Sequence, residues 1–231
     1  MRPVRSSFLL VLTSCRESFG FAGERVPMRR FLRRVTLIAL GLTVGMQAPA
    51  LAATKDVTIA NFSFTPQLLP VRLGDTVVWT NTAAATDHTS THDFNDPLVW
   101  DSGSISPGGT FQFAFNVAGK FQYHCEIHPS MTGTVSVAPK ATPSSGPAGT
   151  QFTILVARSN ATGTLLYDIQ KKDPGGAFED WMIGVTLGRD IFDSTSEPPG
   201  TYQFRVRLRD TTYGFASGYS MAVAITVTSM E

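Results

Sequence analysis

A chain of 231 residues that is 42% hydrophobic and 16% charged is long enough for one large domain or two small ones and too apolar to stay disordered. Its net charge of +1 hides an asymmetry, because residues 1–52 hold eight of the 19 Lys and Arg but only two of the 18 acidic residues. The remainder carries 11 basic and 16 acidic side chains, net −5 and without a basic stripe, which argues against nucleic acid as a partner.

The N-terminal segment reads as an export signal. Arg29, Arg30, Arg33 and Arg34 precede the apolar run Val35–Val44, and Ala50-Leu51-Ala52 supplies the small-x-small pattern of a cleavage site. Cleavage is expected after Ala52. The run is too short to cross a bilayer, which takes about 20 residues. Counted from Met28 the signal has an ordinary length, whereas from Met1 it is long, so translation is expected to start at Met28. Leu12-Thr13-Ser14-Cys15 resembles a lipoprotein box, and anchoring through Cys15 is the minor alternative. The residues around the Arg pairs match twin-arginine export poorly. Without Cys15, Cys125 is the one remaining cysteine, so the exported chain has no internal disulfide. The protein is expected to be periplasmic or secreted, with no membrane span in its mature form.

From Asp56 onward, short strands alternate apolar and polar residues. They begin at Val57 and Ile59 and continue at Leu69–Leu73, Thr76–Thr80, Phe111–Val117, Phe121–Cys125 and Thr134–Val137. Gly74-Asp75, Pro107-Gly108-Gly109 and Ala118-Gly119 supply the turns. The first domain is placed at 53–139. Residues 140–149, rich in Pro, Ser and Gly, are expected to form a short stiff linker. Alternation resumes at Phe152–Val156, Leu166–Ile169, Tyr202–Leu208 and Ala222–Val227, giving a second domain at 150–231. The fold class is all-β, a sandwich or barrel followed by a second β domain.

The densest chemistry lies in Tyr123-His-Cys-Glu-Ile-His-Pro-Ser-Met131. Cys125, His128 and Met131 are spaced C-x2-H-x2-M, so one tight loop can aim a thiolate, an imidazole and a thioether at one point. A fourth ligand must come from elsewhere, and His88, just after the strand ending near Asn81, is well placed. A thiolate with two imidazoles gives a trigonal set that Cu(I) and Cu(II) both tolerate, with a long axial thioether favouring Cu(I). Zinc prefers four strong tetrahedral donors, among which methionine is a poor one.

With these residues in view, the chain resembles the cupredoxins of the plastocyanin and amicyanin type. The resemblance covers about residues 54–138: Asn61-Phe-Ser-Phe-Thr-Pro66, Val71–Asn81, Trp100-Asp-Ser-Gly103, Pro107–Phe111 and the Cys125 loop. It implies a Greek-key β-sandwich, one type 1 (blue) copper held by His88, Cys125, His128 and Met131, and an exit for electrons at His128. The first histidine follows the strand Asn by seven positions here, where the family pattern has six. Asp87 fills the expected slot, and His92 is the alternative ligand. Residues 150–229 resemble a fibronectin type III or immunoglobulin-like module, on Trp181, Tyr202–Val206 and the closing strand after Gly218-Tyr219-Ser220.

Other features read more plainly. A lone buried cysteine is usually a small hydrophobe, and it is the His and Met around Cys125 that turn the reading toward a metal. His124 should point to the opposite strand face from Cys125. Glu126 stands where multicopper oxidases place a second histidine beside the cysteine, and no pair of His-x-His motifs exists for a trinuclear cluster. Arg205, Arg207 and Arg209 share one strand face, either simply solvated or a docking stripe for an acidic partner. Asn160-Ala-Thr162 fits a glycosylation sequon, a pattern that is commonly chance. The expected protein is therefore an exported monomeric one-electron carrier and not an enzyme. Residues 53–139 carry three basic and seven acidic side chains, so a basic redox partner suits it. The rivals are a copper-trafficking protein without a shuttle role, and an adhesion protein in which the C-terminal module dominates.

Overall fold

A computed structural model describes residues 52–60 and 62–229. Met28, Cys15 and the Arg-rich and apolar parts of the expected signal lie outside the described residues. Every regular element among the described residues is a strand, and none of them is a helix long and apolar enough to cross a membrane.

The first half contains β1 (Thr54–Ala60), β2 (Ser63–Thr65), β3 (Leu68–Arg72), β4 (Thr76–Asn81), β5 (Thr91–His92), β6 (Thr110–Ala114), β7 (Gly119–His124) and β8 (Thr132–Ala138). They form two sheets, ordered β2-β1-β4-β6 and β3-β8-β7-β5. The chain switches sheets repeatedly between β2 and β7, and β1 pairs parallel with β4, as β3 does with β8. Local hairpins alone would have given only antiparallel neighbours.

Period-two alternation decides which face is buried. In β4 the side chains of Val77, Trp79 and Asn81 point inward, and in β7 Phe121 and Tyr123 do. Trp79 meets Tyr123 across the sandwich at 5.5 Å between ring centroids, nearly perpendicular, and Phe64 meets Tyr123 at 4.7 Å. Such pairs contribute about 0.5–1.5 kcal/mol each beyond burial. Tyr123 lies opposite Gly133 in the β7–β8 ladder, and a Cβ there would collide with the phenol ring, so the small residue makes room for the large one.

The second half contains β9 (Lys140–Thr142), β10 (Ser145–Pro147), β11 (Gln151–Leu155), β12 (Leu165–Lys172), β13 (Phe178–Val185), β14 (Arg189–Asp193), β15 (Gly200–Asp210) and β16 (Val223–Thr228). Their sheets run β14-β11-β9 and β10-β16-β15-β12-β13. Phe192 packs between them on Tyr202 and Phe204, and the half-buried Trp181 touches Phe192 and Phe204.

Residues 140–149, expected as a linker, hold two short strands. β9 pairs with β11 and β10 with β16, both at sheet edges. An edge tolerates Pro147 and Gly146 because one side of the strand needs no donors. The two halves also meet directly. Ala118 N–H donates to Val156 O (2.8 Å), Arg158 N–H to Asn116 O (2.9 Å), and Lys120 and Gly218 exchange bonds of 2.9 and 3.0 Å. β13 and β14 escaped the sequence pattern, β13 because its pairing with β12 shifts register twice around Ile169.

The part-exposed Arg205–Arg207–Arg209 face is paired within the sheet. Arg207 and Arg209 bind the fully buried Asp168 at 2.9 and 3.0 Å, and Arg205 lies over Phe178 and Tyr219 at 4.1 and 4.8 Å. Burial opposes ionisation of Asp168, but bonds from Arg209, Gly184 N–H and Arg207 outweigh it and hold its carboxyl below the ordinary value. Asp168→Ala should leave two guanidinium groups without their partner and cost about 3 kcal/mol in urea unfolding.

Asp96 pins the segment after β5 to β7, accepting from Leu98 N–H (3.1 Å) and Gln122 N–H (3.3 Å). Its burial pushes the carboxyl up to about 7, with nearby Asp93 adding to this and the two N–H donors opposing. A carboxyl raised on folding binds a proton in the native state that the unfolded chain has released. Its contribution to stability is therefore full below about pH 4 and lost as pH rises through 7. Wild-type unfolding free energy should fall over that window by up to about 1.4 kcal/mol per pH unit from this group, and Asp96→Asn should flatten the slope.

Candidate metal centre

Three segments converge at one end of the first sandwich. β7 runs into the loop carrying Cys125, whose N–H donates to Met131 O (3.1 Å) while His128 N–H donates to Cys125 O (3.1 Å). Met131 N–H returns to His128 O (2.8 Å). The loop is therefore two interlocked turns, closed by backbone bonds before any metal enters, as expected for two residues between each pair of C-x2-H-x2-M.

His88 reaches the site from the segment after β4. Asn81, fully buried, donates through Nδ2 to Thr86 O (2.8 Å) and Ile105 O (2.7 Å) and accepts from Ala83 N–H (2.9 Å). The loop 82–87 thus winds around one amide side chain and absorbs the extra residue before His88. His88 then exchanges backbone bonds with Ile105, while exposed Asp87 accepts from Ser104 Oγ (2.7 Å).

The result is a compact donor set. Cys125 Sγ lies 3.8 Å from His88 Nδ1 and 3.6 Å from His128 Nδ1. At these separations a thiol could make only weak S–H···N contacts, and the same spacing suits a shared metal: two bonds of about 2.1 and 2.3 Å meeting at 110–120° span about 3.6–3.8 Å. Cys125 and His88 are buried and His128 is half-buried. Burial first, and His128 second, hold the His88 imidazole below its ordinary value against the pull of Asp87, which favours the neutral ring a metal needs. The donor set of one sulfur and two nitrogens fits copper.

Of the expected site residues, the structure brings together His88, Cys125 and His128. Met131 is buried in the same loop and tied to Cys125 and His128 through its backbone. His92 stands apart on β5 with its Nδ1 2.8 Å from Trp100 O. His124 faces away from the cluster and pairs with Asp93 at 2.8 Å.

Two contributors were not recognised in the sequence as parts of the site. Thr89 donates its N–H to Cys125 Sγ (3.3 Å), and its Oγ1 accepts from Glu126 N–H (2.8 Å). Its only sequence signal was its place directly after His88. Phe62, in the turn between β1 and β2, lies against both imidazole rings; nothing in Asn61-Phe-Ser-Phe marks it off from a core position.

Residues 51–138 match the family described as copper binding proteins, plastocyanin/azurin family. The chain is similar to amicyanin-alpha of Methylorubrum extorquens, 29% identical over 120 residues that make up 48% of this chain and 99% of the amicyanin. It is also similar to the chloroplastic plastocyanin of Tetradesmus obliquus, 26% identical over 120 residues, 48% of this chain and 82% of that protein. A solved structure of a reduced amicyanin variant is 30% identical and covers 36% of this chain and 81% of its own, with a TM-score of 0.33. The residues after 138 lie outside the family match. Titration of the metal-free protein with Cu(II) should show His88→Ala weakened by more than about 100-fold, and His92→Ala within a few-fold of wild type.

Proposed function

We propose, from the premise that residues 51–138 form a copper-binding domain of the plastocyanin/azurin family, that the protein is an exported one-electron carrier with a single type 1 copper. The observation that carries this reading is Cys125 Sγ facing two imidazole Nδ1 atoms at 3.6 and 3.8 Å in a largely buried pocket. In it His88, Cys125 and His128 supply the trigonal ligands and Met131 the axial one. Copper so held would exchange one electron with little change in geometry.

The chain's own part is to hold the donors still. The Thr89 N–H stabilises negative charge on Cys125 Sγ, and interlocked turns fix the Cys125–Met131 loop. Buried Asn81 fixes the approach to His88. His128, half-buried where His88 and Cys125 are buried, is the site nitrogen donor nearest solvent and the natural exit for an electron. Residues 53–139, with three basic and seven acidic side chains, suit a basic redox partner whose association weakens with salt. The family likeness to amicyanin and plastocyanin supports the carrier role, and the Arg-rich start with its Ala50-Leu51-Ala52 site supports export. The second sandwich is read as an immunoglobulin-like module, in keeping with its two facing sheets.

Adding Cu(II) to the metal-free protein should produce an intense blue thiolate-to-copper band that Cys125→Ser abolishes. Rapid reversible electron exchange of the blue form then supports the carrier. A colourless copper complex, or a blue one that passes its metal on more readily than its electron, rejects it in favour of copper trafficking.

A further inference from the structure

Phe62 has a backbone φ of 58°, and it is the one non-glycine with positive φ among the described residues. That left-handed conformation presses Cβ against the backbone and is ordinarily left to glycine or to short polar residues. Here it is occupied by a large apolar side chain that is 59% exposed. Neither the turn, which glycine would make more easily, nor the core, which the ring mostly leaves, accounts for a phenylalanine. Strained backbone of this kind persists where the surroundings impose it, and its presence points to function.

The ring's neighbours supply that function. Its centroid lies 4.9 Å from that of His128 with the planes at 78°, and 5.9 Å from that of His88 at 75°. Both are edge-to-face contacts at favourable separations. The two imidazoles are 4.8 Å apart at 49°, so a single exposed ring braces both nitrogen donors at once. His128 gains most, because it sits half-buried on a tight turn, whereas His88 is buried and held through Ile105.

Resting on the carrier reading above, we infer that Phe62 is a positioning residue for electron transfer. Its ring fixes the tilt of His88 and His128 and keeps water off that side of the donors. The imidazoles thereby hold one orientation in both oxidation states. The strained backbone is what brings the ring back over the site from the turn between two strands.

The test compares Phe62→Gly, which removes the ring and relieves the backbone, with Phe62→Tyr, which keeps the ring. In the metal-free protein, the imidazole resonances of His128 in wild type and Phe62→Tyr should carry a ring-current shift from residue 62 that Phe62→Gly loses. The metal-free thermal midpoint of Phe62→Gly should equal or exceed that of wild type. With copper bound, Phe62→Gly should lose the metal to a chelator about tenfold faster and exchange electrons about tenfold more slowly, with Phe62→Tyr near wild type. Phe62→Leu, which keeps an apolar side chain without a ring, replaces the glycine variant if that chain does not fold. Unchanged imidazole resonances, or unchanged copper loss and electron exchange in a folded ring-less variant, overturn the proposal. Absence of the blue band in wild type overturns the carrier reading instead, and the metal-free resonances still test the brace by themselves.

Discussion

The hydrogen bond from Thr89 N–H to Cys125 Sγ, 3.3 Å long, joins two segments 36 residues apart at a fully buried sulfur. A second bond, from Glu126 N–H to Thr89 Oγ1, doubles the link. The residue after the first histidine thus stitches its own loop to the cysteine loop, and His88 is carried into place as a consequence. A backbone N–H aimed at a buried sulfur is a contact set by the fold itself.

The remaining supports share this character of acting before any ion arrives. The Cys125–Met131 loop closes on itself through three backbone bonds, and Asn81 satisfies the carbonyls of Thr86 and Ile105 from inside the core. Trp79 and Tyr123, stacked edge to face beneath, leave the strand ends little room to shift. A site whose donors are spaced by the protein, and not by the ion, suits a group that must change charge without moving its ligands.

The second sandwich is joined to the first by more than a tether. The ladder bonds at Ala118, Lys120 and Arg158, with Phe94 against Phe215, fasten it near the start of β7, while Cys125 lies just beyond the other end of that strand. Its strand-face arginines lean on Asp168 and on aromatic rings, which orders them on that sheet.

The sequence by itself determined the all-β class, the alternating core positions such as Trp79 and Phe121, and the loop trio of Cys125, His128 and Met131 as neighbours. Short-range spacing settles these, because a strand has period two and a tight turn spans two or three residues. What lay beyond its reach was everything depending on contacts across long separations. The sequence favoured His88 and kept His92 as the alternative, whereas in the fold Asn81 gathers the loop before His88 and Trp100 O engages His92. The Pro- and Gly-rich stretch at 140–149 carried no periodicity, yet its edges found β11 and β16. Thr89 and Phe62 acquired their places only through folding, because hydrogen bonding to a sulfur and lying against two distant rings depend on where chains meet, which composition and local pattern do not encode.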